Sequence, residues 1–176
     1  MGRDKAALLV DGAPLWQRQL ACLRATEPAE LFISGPPDGP YAGCGTPIVP
    51  DELPGCGPLA GLAAVLSRCT TPWLVVLAVD MPLMTAAYLR GLLEETLRTG
   101  RGAVPQFADG HWQPLAAVYP QDASITAAAM LARGERRMEA FVRELHAAGK
   151  IAASSVAAED QRYFENWNSP DDLSRR

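Results

Sequence analysis

Two charged residues carry the first hint of chemistry. Asp80 closes the apolar run WLVVLAVD, Trp73 to Asp80, and is followed by Met81-Pro82. A carboxylate at the end of a buried strand is oxygen-rich, partly dry and suited to Mg²⁺; a capping or turn aspartate is the plainer alternative. Lys5, in the opening MGRDKA, is one of two lysines in a chain whose other cations are arginines. A compact ammonium suits a phosphate oxygen as a point charge. The pattern Met-Gly-x-Asp-Lys has the character of the interior of a phosphate-binding loop.

Other candidates are scattered along the chain. Gly57-Pro58-Leu59-Ala60-Gly61 opens a helix, where glycines let backbone approach a ligand and free N–H groups suit an anion or a base edge. Ordinary packing of helix on strand would use the same residues. Asp51, in VPDELPG, is a ligand or a loop aspartate. Arg136 and Arg137 could clamp a phosphate or form a solvated face. Asn166 and Asn168 flank Trp167, and in an extended chain their amides point the same way, as reading a heterocycle requires; as turn residues they need no ligand. His111 and His146 share no spacing with other metal ligands and read as structural or solvated.

The elements that must position these groups alternate between strand and helix. A helix is expected over Pro14 to Arg24, with Trp16, Leu20 and Leu23 on one face. Short strands follow at Glu30 to Ser34 and Thr46 to Val49, then a helix over Pro58 to Arg68. The continuous apolar run Trp73 to Asp80 fits a strand buried on both faces of a parallel sheet. Thr85 caps a helix that buries Leu89, Leu92, Leu93 and Leu97 and stops at Gly100. Strands near Gly102 to Phe107 and Trp112 to Tyr119, turning through Ala108-Asp109-Gly110, give a hairpin-like signal and hence a mixed sheet. Helices at Asp122 to Ala132 and Met138 to Ala147, a strand at Lys150 to Val156 and a capped turn or short helix in ENWNSPDDLSRR complete the chain. This alternation means a three-layer α/β domain.

Composition narrows the function. A net charge of −4 argues against a nucleic-acid partner. No apolar run is long enough to cross a bilayer, and Ala6 to Val10 is too short for a secretory signal. The cysteines Cys22, Cys44, Cys56 and Cys69 have no CxxC spacing, which fits reduced thiols in a cytoplasmic protein better than a disulfide framework or a zinc site. With no GxxxxGK[ST], the chain is not a P-loop NTPase.

In order, MGRDKA, DGAPL, VPDELPGCGPLAGL, VVLAVDMP, WQPLAAVY, GERRM and FENWNSPDDL resemble the molybdenum cofactor guanylyltransferase family over nearly the whole chain. The opening, VDMP and the closing N-x-N-[ST]-P-[DE]-[DE]-L are the specific parts; GPLAG is shared with related cytidylyltransferases. The resemblance implies a single domain over 1–176 with a Rossmann-like nucleotidyltransferase fold and a mixed, mostly parallel sheet. It implies transfer of GMP from GTP to molybdenum-molybdopterin, with Mg²⁺ as cofactor and with molybdenum-insertion proteins and recipient molybdoenzymes as further partners. Asp80 would hold the metal, and Lys5, with Arg3, would neutralise phosphate. Ser34, which stands where the family pattern carries an amide, and Asp51 would face the nucleoside beside Gly57, Pro58, Leu59 and Gly61. Arg136, Arg137, Asn166 and Asn168 would lie on the molybdopterin side. In that family a strand and a Leu-Ala-Gly-Gly loop precede MGxDK; the expectation is therefore a chain N-terminally truncated relative to the family, lacking the central first strand and inactive as written.

Rival expectations are a cytidylyltransferase of the same fold, acting on molybdopterin or a small phosphorylated alcohol, and a non-catalytic nucleotide-binding relative. A response-regulator receiver also ends a central strand in an aspartate, but it needs an upstream acidic pair that this chain does not show.

Overall fold

The computed structural model describes residues 5–51, 55 and 57–167. A 3₁₀ turn at Lys5–Ala7 leads into a two-residue hairpin of β1 (Leu9–Val10) and β2 (Ala13–Pro14). Asp11 and Gly12, at φ 51° and 80°, form its turn. Positive φ at both central positions is the type I′ form, and Asp-Gly adopts it readily. Pro14 then stands at the N-cap of α1 (Leu15–Arg24).

Three further pairs of strands follow, two of them five residues long. β3 (Ile33–Ser34) runs parallel to β4 (Ile48–Val49), and β5 (Trp73–Leu77) antiparallel to β7 (Ala116–Pro120). β6 (Gly102–Gln106) runs parallel to β8 (Ile151–Ser155). β6 lies hard against β7: a Cβ on Gly102 would stand 2.5 Å from the Val118 carbonyl oxygen, so only glycine fits.

The helices take the two faces. α2 (Pro58–Arg68), α4 (Ala123–Ala132) and α5 (Met138–Ala147) bury Leu59, Leu66, Met130, Phe141 and Leu145 against Val104, Ala117 and Tyr119, with Leu74 and Val76 of β5 packed alongside. On the opposite face α3 (Ala86–Thr99) packs Leu92 against Ala103 and Val118, beside Trp73 and Val75. Alternate residues of one strand thus serve different layers, as the period of two requires. The three-layer α/β expectation holds. Thr85 caps α3 by accepting the Tyr88 N–H, and Gly100 ends it at φ 67°.

Several local expectations need correction. The hairpin between the strands at 102–107 and 112–119 is reduced to one antiparallel bridge, Gln106 to Trp112, and the turn where the Phe107 N–H donates to the His111 carbonyl. Pro114 has no N–H to continue such a ladder, and β7 pairs with β5 instead. The strand expected at 30–34 keeps only Ile33–Ser34. A 3₁₀ helix at Ala158–Phe164 was not anticipated, and Leu97 is exposed. Most telling, every residue of β5 is only half-buried, although its sequence suits a strand enclosed on both faces. Its edge opposite β7 borders a large cavity.

Candidate active site

Asp80 sits in the loop leaving β5. Gln19, a buried residue of α1, reaches this loop and donates Nε2 to the carbonyl oxygens of Ala78 at 3.2 Å and Met81 at 2.6 Å. The main chain is therefore held on both sides of Asp80. The Asp80 carbonyl itself accepts the Trp167 N–H at 2.8 Å. Buried peptide groups need such partners, and here they come from opposite ends of the sequence. The result is a carboxylate on a restrained loop, its side chain 23% exposed, with Lys5 Nζ 3.7 Å from Oδ2.

Lys5 is placed by a small core of its own. Val10, Leu15 and Trp167 are buried together, with Leu8, Val79 and Leu83 packed on them. The Leu8 N–H donates back to the Lys5 carbonyl, and the Leu15 N–H donates to the Leu8 carbonyl. This folds the opening turn onto the Asp80 loop. The structure brings Lys5 and Asp80 together; Arg3 and Asn168 lie outside the described residues. Asn166 is exposed and directly precedes Trp167, so the chain carries it to the Asp80 side of the molecule.

The start of α2 forms a second cluster. Gly57 occupies the N-cap at φ 75° and Pro58 follows at the first helical position. Gly61 meets Ser34: a Cβ there would stand 2.5 Å from the Ser34 hydroxyl oxygen. Ser34, Asp51, Gly57, Pro58 and Gly61 all border the cavity, whose volume is about 1080 Å³. Leu59 differs. Its side chain is fully buried in the core, which leaves only its peptide group for a ligand.

Arg136 and Arg137 stand apart, on the turn that enters α5. Glu135 holds them, accepting both backbone N–H groups and the Arg137 guanidinium through Nε at 3.0 Å and Nη2 at 2.9 Å. The guanidinium beside it holds the Glu135 carboxyl down at about 2. The arginine pair is thus a fixed, exposed feature of the turn.

Sequence reasoning missed Gln19, the Trp167 amide and Glu135. Gln19 did leave a trace: it lies four residues after Leu15, a polar residue on a buried stripe. Among the described residues no group of three or more His, Cys, Asp or Glu gathers to hold a metal. A lone carboxylate fits Mg²⁺ only as one ligand among waters and substrate phosphates, the usual way this ion is bound beside a nucleotide. No described helix is long and apolar enough to cross a membrane.

Comparison with known proteins bears on the family and fold of the chain. The model of the MobA-like NTP transferase domain matches residues 1–149. A probable molybdenum cofactor guanylyltransferase from Opitutus terrae is 40% identical over 178 residues, spanning 99% of this chain and 87% of the relative. The crystal structure of molybdopterin-guanine dinucleotide biosynthesis protein A from Archaeoglobus fulgidus superposes with a TM-score of 0.78 at 23% identity, over 99% of this chain and 89% of that one. A Mycobacterium tuberculosis protein solved as a complex with manganese shares the fold at a TM-score of 0.61 and 19% identity, over 93% of this chain and 92% of that one.

Proposed function

As the chain belongs to the MobA-like NTP transferase family, nucleotidyltransferases acting in molybdenum cofactor biosynthesis, we propose that it transfers GMP from GTP to molybdenum-molybdopterin. The products are the guanine dinucleotide cofactor and pyrophosphate. The observation that carries this reading is the Lys5–Asp80 pair, 3.7 Å apart in the loop that leaves β5.

The reaction asks little covalent chemistry of the protein. The terminal phosphate oxygen of the acceptor attacks the α-phosphorus of GTP, the bond to the bridging oxygen breaks, and pyrophosphate leaves with that electron pair. The attacking oxygen is already anionic near neutral pH, so no general base is needed. Aligning and neutralising two polyanions is the task. Lys5 supplies positive charge to phosphate oxygens. Asp80 would hold Mg²⁺, which would supply charge neutralisation across the nucleotide phosphates. Ser34, Asp51 and the peptide groups from Gly57 to Gly61 receive the nucleoside. Asn166, with Asn168, and the arginines 136 and 137 serve the molybdopterin side; molybdenum-insertion proteins and recipient molybdoenzymes are the partners this role implies.

Calorimetry with GTP and CTP, each with Mg²⁺, tests the base. A site hydrogen-bonded to guanine leaves polar groups unpaired against cytosine, at about 1–3 kcal/mol each, so GTP should bind at least tenfold tighter. Equal or tighter CTP binding selects the cytidylyl alternative. Asp80→Asn should abolish dinucleotide formation with an unchanged melting temperature; a variant that transfers GMP at the parent rate removes Asp80 from the reaction.

A further inference from the structure

We propose that Tyr41 is a positioning residue for the nucleobase: its ring ties the loop after β3 to α1 and so fixes where Ser34 and Gly35 stand. The inference rests on the guanylyl-transfer reading above and names the residue that sets how well the base is read.

The loop that follows β3 has the sequence GPPDGPYAGCG, Gly35 to Gly45. Glycine and proline supply turns but little apolar surface. Short turns fold the loop on itself: the Gly39 N–H donates to the Pro36 carbonyl at 3.0 Å, the Ala42 N–H to Gly39 at 2.9 Å and the Cys44 N–H to Tyr41 at 3.2 Å. At its root the Gly35 N–H donates to the Val49 carbonyl at 3.1 Å. Tyr41 is the one residue of this stretch that is buried, at 6% exposure. A compact surface loop is packed by its own side chains, and here that task falls to one ring.

The ring is enclosed by its own loop and by a helix. A Cβ on Gly35 would stand 1.9 Å from the Tyr41 hydroxyl oxygen, so the hydroxyl fills the space where residue 35 would carry a side chain. A Cβ on Gly39 would stand 2.6 Å from Cζ. Only bare α-carbons let a ring lie this close to the main chain. From α1, Trp16 meets the ring at 6.5 Å between centroids and 75° between planes, the edge-to-face contact that aromatic pairs prefer. The far end of Tyr41 thus rests on the residue directly after Ser34.

That place matters for the base. Ser34 is exposed, its hydroxyl lies against Gly61 in the first turn of α2, and Ser34, Gly35, Tyr41 and Asp51 border the same cavity. α2 fixes one wall of the space assigned to the nucleoside, and Tyr41 fixes the other. Hydrogen bonds weaken steeply as their geometry departs from ideal. A wall free to shift would lose the contacts that separate guanine from cytosine. The Asp80 loop is held independently, by Gln19 and the Trp167 amide. Loss of Tyr41 should therefore appear in nucleotide affinity and base choice rather than in the chemical step.

Calorimetry on the full chain with Mg²⁺ and either GTP or CTP tests this. Tyr41→Leu removes the ring, Tyr41→Phe keeps it, and Gly39→Ala pushes it aside from a half-buried loop position. Tyr41→Leu and Gly39→Ala should each weaken GTP binding at least ~tenfold, about the loss of one polar contact, and weaken CTP much less, so the preference for GTP shrinks. Tyr41→Phe should bind GTP within ~threefold of the parent, because the packed volume is nearly unchanged. Adding Gly39→Ala to Tyr41→Leu should cost nothing further, since both act through one ring. In Tyr41→Leu, KM for GTP should rise far more than kcat falls. Gly39→Ala replaces no buried residue and carries the test if Tyr41→Leu does not fold. Parent affinity for GTP in the folded variants, at any Tm, would overturn the inference. Equal losses for GTP and CTP would do the same, as would a Tyr41→Phe variant as weak as Tyr41→Leu. A parent chain that does not prefer GTP defeats the guanylyl-transfer reading itself, and the inference with it.

Discussion

The main-chain amide of Trp167 donates to the carbonyl oxygen of Asp80 across 2.8 Å, so a residue far along the chain holds the loop that leaves β5. The indole beneath it is buried with Val10 and Leu15. Trp167→Ala should lower stability by about 3–5 kcal/mol, the range for emptying a packed aromatic site, and Trp167→Phe by less. Chemical denaturation measures both, and an unchanged midpoint for the alanine variant would show that the ring does not hold the loop.

Gln19 grips the same loop from the other side. Gln19→Leu keeps the bulk but leaves the Ala78 and Met81 carbonyls without their side-chain donor. We expect kcat to fall about tenfold, equivalent to ~1.4 kcal/mol, with little change in KM for GTP, because the Gln19 amide is spent on main-chain carbonyls. A lower Tm with kcat intact would make Gln19 a purely structural residue.

Gly61→Ala sets two effects against each other. Alanine favours a helix by about 1 kcal/mol over glycine, yet its Cβ would stand 2.5 Å from the Ser34 hydroxyl oxygen. That hydroxyl can rotate aside, so Tm should hold or rise while GTP binding weakens. Calorimetry on Gly61→Ala with and without Ser34→Ala separates the two: if the single variant binds GTP as the parent does, the Ser34 contact plays no part in recognition.

Glu135 gives the clearest pH signature. Hydrogen bonds from Arg137 keep its carboxyl ionised down to about 2, against about 4.3 for an unperturbed glutamate. Because the folded value is depressed, its stabilising contribution is fully present above about 4.3 and disappears as pH falls toward 2. Carbon-detected NMR should find Glu135 still ionised at pH 3, and Arg137→Ala should return it to the ordinary range.

Elements governed by local pattern were legible in the sequence. Pro at the first turn and a closing arginine bound α2 where it was expected, and α5 likewise spans Met138–Ala147. The Ala108-Asp109-Gly110 turn was also real, but its flanking segments pair with β5 and β8, and a turn signal carries no information about ladders formed far along the chain. The apolar stripe of Trp16, Leu20 and Leu23 was read correctly as a face; what it faces is the cavity beside β5. The pairing of Lys5 with Asp80 came from resemblance to a family, whereas Gln19 and the Trp167 amide act through tertiary hydrogen bonds that no spacing announces.

The Lys5–Asp80 contact sets two opposite charges side by side. An anion drawn to Lys5 releases Asp80 to attract a cation, and a cation at Asp80 releases Lys5 to attract an anion. Ligands of opposite sign should therefore reinforce one another, and by the same factor in either order of addition. With the lysine side chain 49% exposed, solvent screens the pair, and a contact of that kind is worth about 0–1 kcal/mol. The reinforcement from this pair alone then amounts to no more than about fivefold. The protein would discriminate against either ligand alone only gently, and would commit when both charges arrive together.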